Sequence, residues 1–370
     1  MGKKLSLGKG TGRNPQIVRA GIEDVARAAG VSVATVSRVV NRNYPYISQA
    51  TRQKVLDVIE KLHYTPNRLI RSLQAGRTKV IAYASLYPGL FRQDEVQVRT
   101  LVGIYGAGRT FGYDILLPTD PLLDNDQPRV ENLLDGRCDG VILETPKGSP
   151  VLEILAAHAF PTVVLGNRYV PQGIGTVCGD IRDGTRQALK YLLDRGHRRI
   201  AHLAGPTQLW DEAQCRLDTY LETLKEAGIP TDRDLILPSW GTETWAVDQD
   251  QVRQSLDAWL ALDQPPTAVF CASDRLALAL MEAAAHRALR IPEDLSIIGF
   301  DDMPAAGHCR PALTTVNIDQ NELAQAAMQM LDALIEKRLG TSNPPDQVED
   351  KPLTTARTLP AQLVIRGSTT

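Results

Sequence analysis

Apolar residues recur with helical spacing near the start of the chain and in short β-branched runs after residue 79. Ile22, Val25, Ala26 and Ala29 fall at i, i+3, i+4 and i+7, which predicts an amphipathic helix over 22–29. Gly30-Val31-Ser32 interrupts it: glycine allows the tight turn, and the Ser32 hydroxyl suits the cap of a second helix. That helix is predicted over Val33–Asn41, with Val36, Val39 and Val40 turned inward. Two short helices joined by a glycine-containing turn predict a helix-turn-helix, whose second helix can enter a major groove. A third helix follows a Ser48 cap and buries a stripe of Val55, Val58, Ile59 and Leu62. A short helical segment is predicted from Asn67 to Leu73, after Pro66 and before Gly76. Alone it is marginal in water and needs a partner, such as DNA or a second copy of itself.

After residue 79, strands are predicted at Lys79–Ser85, Tyr113–Leu117, Gly140–Leu143, Thr162–Leu165, Arg199–Leu203, Ala268–Ala272 and Leu295–Gly299. Helices such as Asp183–Arg195 and Leu276–Leu289 fill the gaps. Strand–helix alternation implies parallel sheets. The length suits two such sheets, and periodicity alone leaves a barrel open.

Charge sharpens the division. Residues 1–79 hold 15 Lys and Arg against Glu23, Asp24, Asp57 and Glu60, a surplus of 11; the chain totals −2, so the rest carries −13. A basic head on an acidic body suits a nucleic-acid-binding module joined to something else. The content of 43% hydrophobic and 23% charged residues is ordinary for a soluble globular chain, and the 370 residues fit two or three domains. No apolar run of about 18 residues suggests a membrane span, and no apolar segment follows the basic start as a secretory signal would. Cys138, Cys178, Cys215, Cys271 and Cys309 are scattered without zinc spacing, and their odd number argues against a disulfide framework. Buried thiols in a reducing cytoplasm are expected, with the protein cytoplasmic and nucleoid-associated. Neither metal nor cofactor is expected: His63, His158, His197, His202, His286 and His308 show no ligand spacing. No nucleophile–base constellation, GxGxxG or phosphate loop points to an enzyme. A transport binding protein is the other alternative, opposed by the basic head.

Gly21-Ile-Glu-Asp-Val-Ala-Arg-Ala-Ala-Gly-Val-Ser-Val-Ala-Thr-Val-Ser-Arg-Val-Val-Asn41 resembles the DNA-binding head of the lactose/galactose repressor (LacI) family of bacterial transcription regulators. Tyr64-Thr-Pro-Asn-Arg-Leu-Ile-Arg-Ser-Leu73 resembles that family's hinge. The likeness continues through Gly196-His197-Arg198-Arg199-Ile200, Pro266–Asp274, Ile291–Asp302, Pro311–Val316 and Leu363–Ser368, and so spans roughly residues 21–370. It implies a small all-α helix-turn-helix domain followed by an α/β, two-lobed domain similar to periplasmic binding proteins, with two parallel sheets and three crossovers. The expected layout is a disordered basic arm over 1–20, a DNA-binding domain over 21–65, a hinge over 66–78 and an effector-binding and dimerisation domain over 79–370. The first lobe is expected at about 79–195 and 319–345, the second at about 196–318 and 346–370. The implied function is repression of transcription at a palindromic operator by a homodimer, under control of a small sugar-like effector between the lobes.

The resemblance assigns Val33 and Ala34 to base edges, with Arg38 one turn on; arginine can grip guanine with two hydrogen bonds, and small apolar groups can meet a thymine methyl. Ser32, Thr35, Ser37 and Asn41 are the polar types that hold phosphates, with simple helix solvation as the other role for Thr35 and Ser37, and Asn67 and Arg68 of the hinge are also assigned to DNA binding. Leu73 is implied as a wedge into the minor groove. For the effector, Arg216, Trp240 and Asp301 are the leading candidates. Asp274 reads mainly as a structural helix cap, with effector contact as its other role, and its neighbour Ser273 is a further candidate. Trp210 and Trp245 compete with Trp240 for ring stacking, and Trp259 reads as helix packing. Asp183, which could equally cap a helix, and Asp94 and Gln97 complete the set. Several positions depart from the family pattern: Gly21 replaces a capping threonine, Ser273 a frequent asparagine, and Thr219 and Ala279 frequent glycines, while the Arg42–Ile47 loop is one residue longer.

Overall fold

The computed structural model describes residues 20–41, 44–66, 72, 76–86, 95–120, 122–124, 127–207, 210–237, 247–340 and 355–370. Contacts divide the chain into two units between Thr78 and Lys79.

In the first unit, helices Ile22–Ala29, Val33–Val40 and Gln49–Lys61 enclose Val25, Ala26, Ala29, Val36, Val39 and Val55. Val40, Val58, Ile59 and Leu62 are half-buried at the margin of this core. Gly30 takes φ +65°, the left-handed turn that ends the first helix. Gly21 has no side chain for capping, so Asp24 reaches back and accepts the Gly21 N–H at 2.9 Å. Ser32 and Ser48 cap the next two helices, accepting the N–H of Thr35 and Thr51 at 3.1 and 3.2 Å. The predicted arm and hinge, including Asn67, Arg68 and Leu73, fall on residues outside those described, apart from Ala20, Pro66, Ser72 and the stretch from Gly76.

The second unit holds two all-parallel sheets. The first runs Ala356–Leu359, Gly175–Gly179, Thr162–Leu165, Gly140–Glu144, Val80–Ser85, Asp114–Leu116. Helices Glu95–Phe111 and Gln320–Leu339 pack on each other beside it. They approach closely because Gly103 lacks a Cβ: one placed there would lie 2.9 Å from Ala324 Cβ. The second sheet runs Ser296–Ile298, Ala268–Cys271, Ile200–Leu203, Ile236–Leu237. A two-stranded antiparallel ladder of Thr315–Asn317 and Gln362–Val364 completes that lobe.

Two expected lobe boundaries differ from the structure. Helix Ile181–Asp194, expected in the first lobe, packs on helix Asp211–Glu226 and on the Thr315–Asn317 ladder of the second. Strand Ala356–Leu359, expected in the second lobe, extends the first sheet beside Gly175–Gly179. The chain therefore crosses between lobes near Asp180, Asp319 and Pro360. Alternation of strands and helices identifies elements; which sheet each joins depends on partners far away in sequence, and no local signal carries that. The cysteines are free thiols, with Cys138, Cys178 and Cys271 buried. Among the described residues, no helix is long and apolar enough to cross a membrane.

Candidate functional site

The head presents one exposed helical face. Val36 and Val39 turn the second helix inward, which leaves Val33, Ala34, Arg38 and Asn41 outward, with Val33 42% exposed. Ser37 and Thr35 are half-buried. The Thr35 hydroxyl lies 2.9 Å from the Ser32 hydroxyl, and Asn41 Nδ2 donates to Ser37 Oγ at 3.5 Å. These contacts link polar side chains along the helix, while Arg38 is exposed to solvent. Two small apolar side chains, Val33 and Ala34, thus share an exposed face with one long fork of donors.

The body has a solvent-open cleft of about 1090 Å³ lined from both lobes. From the first lobe come the start of helix Glu95–Phe111, the carboxyl end of strand Gly140–Glu144 and the loop after Thr162–Leu165. From the second come the start of helix Asp211–Glu226 and the loop after Ser296–Ile298. Ligands favour such a position beyond the carboxyl ends of parallel strands. Arg216, 2% exposed, lies with its Cζ 4.0 Å above the Phe300 ring and its Nη2 3.7 Å from Asp301 Oδ1. The aromatic face steadies the cation, and Asp301 sets a carboxylate beside it on the cleft wall.

Asp301 and Asp302 take φ +110° and +49°, conformations that side-chain-bearing residues rarely adopt. The strain is held from both lobes. Arg99 Nη1, on the first-lobe helix, donates to the carbonyls of Asp301 at 3.1 Å and Asp302 at 2.9 Å. Arg366 Nη2 donates to Asp302 Oδ1 at 2.6 Å. The strand–helix corner carrying the Asp301 carboxylate is thus fixed by charge-assisted hydrogen bonds rather than by a flexible loop.

The structure brings together Gln97, Trp210, Arg216, Ser273 and Asp301 of the expected residues, all lining the cleft. Gln97, 7% exposed, donates to Ser85 Oγ and Glu144 Oε2, each at 3.3 Å. Ser273 caps helix Asp274–Ala285 by accepting the Leu276 N–H at 3.3 Å. Two candidates leave the cleft. Asp274 is fully buried, accepting the Met303 N–H at 2.7 Å and the Thr315 hydroxyl, so it pins the Asp301 loop from behind. Burial pushes its carboxyl up to about 7 against the pull of these bonds. It also does not cap, since Ser273 occupies that position. Asp183 sits exposed on the outer side of its helix, bonded to Gln187, while Asp180 is the cap. Asp94, Trp240 and Trp245 lie outside the described residues. Trp259 is core, donating to the Asp234 carbonyl at 3.0 Å.

Sequence reasoning missed Glu144, Asn167, Asp211 and Glu212 on the cleft wall. Glu144 closes its strand just as Asp301 follows another, so the rule that singled out Asp301 would have found it. Asp211 opens a helix, and one of its carboxylate oxygens is buried without a hydrogen-bond partner among the described residues. Burial raises its pKa, opposed by the charge of Lys147. Behind the cleft, His202 is fully buried between Tyr220 and Phe270, each with ring centroid 5.0 Å away. Burial pushes its pKa down to about 4, the charge of Arg216 adding to that, so it stays neutral.

With this geometry in view, comparisons place the chain among known proteins. Residues 21–67 match the model of bacterial regulatory proteins of the lacI family, and residues 189–369 match the periplasmic binding protein-like domain. The chain is 31% identical over 358 residues to the HTH-type transcriptional repressor CytR of Escherichia coli K12, covering 96% of this chain and 97% of that protein. It is 31% identical over 317 residues to the HTH-type transcriptional repressor PurR of Vibrio atlanticus, covering 84% and 90%. Among solved structures it is similar to a lac repressor dimer bound to operator and the anti-inducer ONPF, at 26% identity and TM-score 0.76 over 95% of this chain and 99% of that one. It is also similar to the transcriptional regulator CelR in complex with cellobiose, at 30% identity and TM-score 0.65 over 95% and 100%.

Proposed function

Because the chain belongs to the LacI family of bacterial transcription regulators, we propose that it represses transcription by binding a palindromic operator as a homodimer, and that a small sugar-like effector in the cleft sets operator affinity. The observation that supports this most is the Arg216–Phe300–Asp301 cluster. It places a buried cation and a carboxylate side by side at the junction of two lobes, where hydroxyl groups of a ligand find both a donor and an acceptor. Trp210 lines the same cleft with an aromatic side chain, and Gln97, Glu144 and Ser273 line it with polar ones.

On the head, Val33, Ala34 and Arg38 read bases, and Ser32, Thr35, Ser37 and Asn41 hold phosphates. Asn67 and Arg68 add phosphate contacts from the hinge, and Leu73 wedges the minor groove. The reading assigns no chemical step to the cleft and places the protein in the cytoplasm with the DNA. Coupling runs through the lobes. The chain leaving the head enters the first lobe at strand Val80–Ser85, so a ligand that shifts this lobe against the other shifts the chain leading to the head. Such a ligand changes operator affinity only if it binds the two lobe arrangements unequally, and about 1–3 kcal/mol of difference is a typical coupling.

The test uses the full chain. A duplex enriched from a random library should bind with an affinity that falls as salt rises. A thermal-shift panel of neutral sugars, sugar phosphates and nucleosides should yield a ligand that raises the Tm and changes affinity for that duplex. Arg216→Ala should remove the ligand shift and leave duplex binding intact. No enriched duplex would sink the DNA-binding part; an effector shift surviving in Arg216→Ala would sink the assignment of the cleft.

A further inference from the structure

We infer that Tyr46, in the loop after the second helix, is a further DNA-reading residue that extends base recognition beyond Val33, Ala34 and Arg38. The inference rests on the proposed DNA binding and adds a contact to it. Tyr46 is 100% exposed, whereas no other large apolar side chain among the described residues exceeds 61%. Its exposure is built rather than accidental. The Ile47 N–H donates to the Tyr44 carbonyl at 2.9 Å, which closes a four-residue turn. Pro45 stands second in that turn and Tyr46 third, with φ +69°. Proline followed by a left-handed residue is the pattern of a type II turn, whose third position strongly favours glycine. This chain places there a side chain that finds the conformation unfavourable and buries nothing in return.

Both flanks of the turn are anchored. The Arg52 guanidinium lies 4.0 Å over the Tyr44 ring, and Ile47 packs on the core of the head. Next along the chain, Ser48 caps the third helix. The Tyr46 backbone is therefore held on an anchored turn, so only the two side-chain torsions of its ring remain to be ordered against DNA. The turn follows the second helix in the chain. Ala34, Arg38 and Asn41 follow one exposed stripe of the second helix, and Asn41 at its end leads into this loop. An aromatic tip there is suited to pack against the groove wall or a base edge of a flanking nucleotide.

The test is selection from a random 30-base-pair duplex library by the full chain and its variants. Tyr46→Gly suits the left-handed turn, so its Tm should equal or exceed that of the wild type. It should nevertheless bind the wild-type site about tenfold more weakly, and its own enriched motif should lose preference at one position in each half-site. Tyr46→Phe keeps the ring and should keep the motif. An unchanged motif and affinity in Tyr46→Gly would overturn the inference. Equal weakening on specific and random duplexes, in Tyr46→Gly or Tyr46→Phe, would make Tyr46 a phosphate contact and overturn base reading. A fall in Tm together with binding would mark the residue as structural and overturn it too. If the wild type enriches no motif, the proposed DNA binding fails first and takes this inference with it.

Discussion

Val33, Ala34 and Arg38 stand outside a head core of six small residues, whereas Arg216, Phe300 and Asp274 of the body are almost wholly buried. Among the described residues of the head, no polar side chain is buried. In the body, buried polar groups support the cleft and form part of the packing. Recognition on the outside of a fold can change with little cost in stability. Recognition built from buried groups cannot, because each such group also satisfies another or fills space.

The strongest way to sharpen this contrast is Phe300→Ala. The ring is fully buried and lies under Arg216, so truncation should cost the body about 3–5 kcal/mol and abolish the ligand response at once. Denaturant unfolding followed by tryptophan fluorescence reads the body alone, because all four tryptophans lie beyond residue 200. A loss of response without loss of stability would break the comparison.

Next comes Asp274. Its carboxyl is raised to about 7, so the folded chain keeps a proton that the unfolded chain releases above the ordinary value of 3.8. Its contribution to stability should therefore fall as pH rises from about 4 to about 7 and stay level above, with an upper bound of about 4 kcal/mol. His202 works in the opposite sense: held down to about 4, it costs stability as pH falls from about 6.5 to about 4. Asp274→Asn should remove the first slope from the body transition and leave the second. A wild-type body whose Tm rises steadily from pH 5 to pH 8 in parallel with Asp274→Asn would contradict this.

Smaller effects belong to the head. Val36→Ala should cost about 2 kcal/mol, lowering the helical circular-dichroism transition of the head while the tryptophan transition stays put. Ser32→Ala removes a cap that accepts the Thr35 N–H and should cost about 1 kcal/mol in the same transition. If either variant moves the tryptophan signal as well, the two units do not unfold independently.

The head was legible because its signals are local. Gly30 between two apolar stripes, and Ser32 and Ser48 ahead of theirs, specify turns and caps within a few residues. Tyr46 escaped notice because only the backbone reveals its left-handed conformation. In the body the buried strands were readable as β-branched runs. Gly175–Gly179 was not: glycine at both ends hides it, and one of these glycines is needed where Met330 crowds the sheet. Arg216 and Asp301 were found at their places on the cleft, while Asp274, read mainly as structural though kept among the effector candidates, is buried in the core, since a carboxylate at a strand end can face either the cleft or the core. Arg99 carried no sequence signal, because its partners are carbonyls some 200 residues away.

The crossings near Asp180, Asp319 and Pro360 also set an order of events during synthesis. The contacts of the head close within residues 20–64, so it can fold while most of the body is unmade. The body cannot follow domain by domain. Gly175–Gly179 keeps an unpaired edge until Ala356–Leu359 emerges, and Thr315–Asn317 waits for Gln362–Val364. Ser368 must then arrive before the Thr314 N–H finds its acceptor and Ile297 its seal. A translating ribosome therefore carries a finished head beside two half-built lobes with open sheet edges. That interval is when the chain is most exposed to pairing with the wrong strand, and both lobes leave it together.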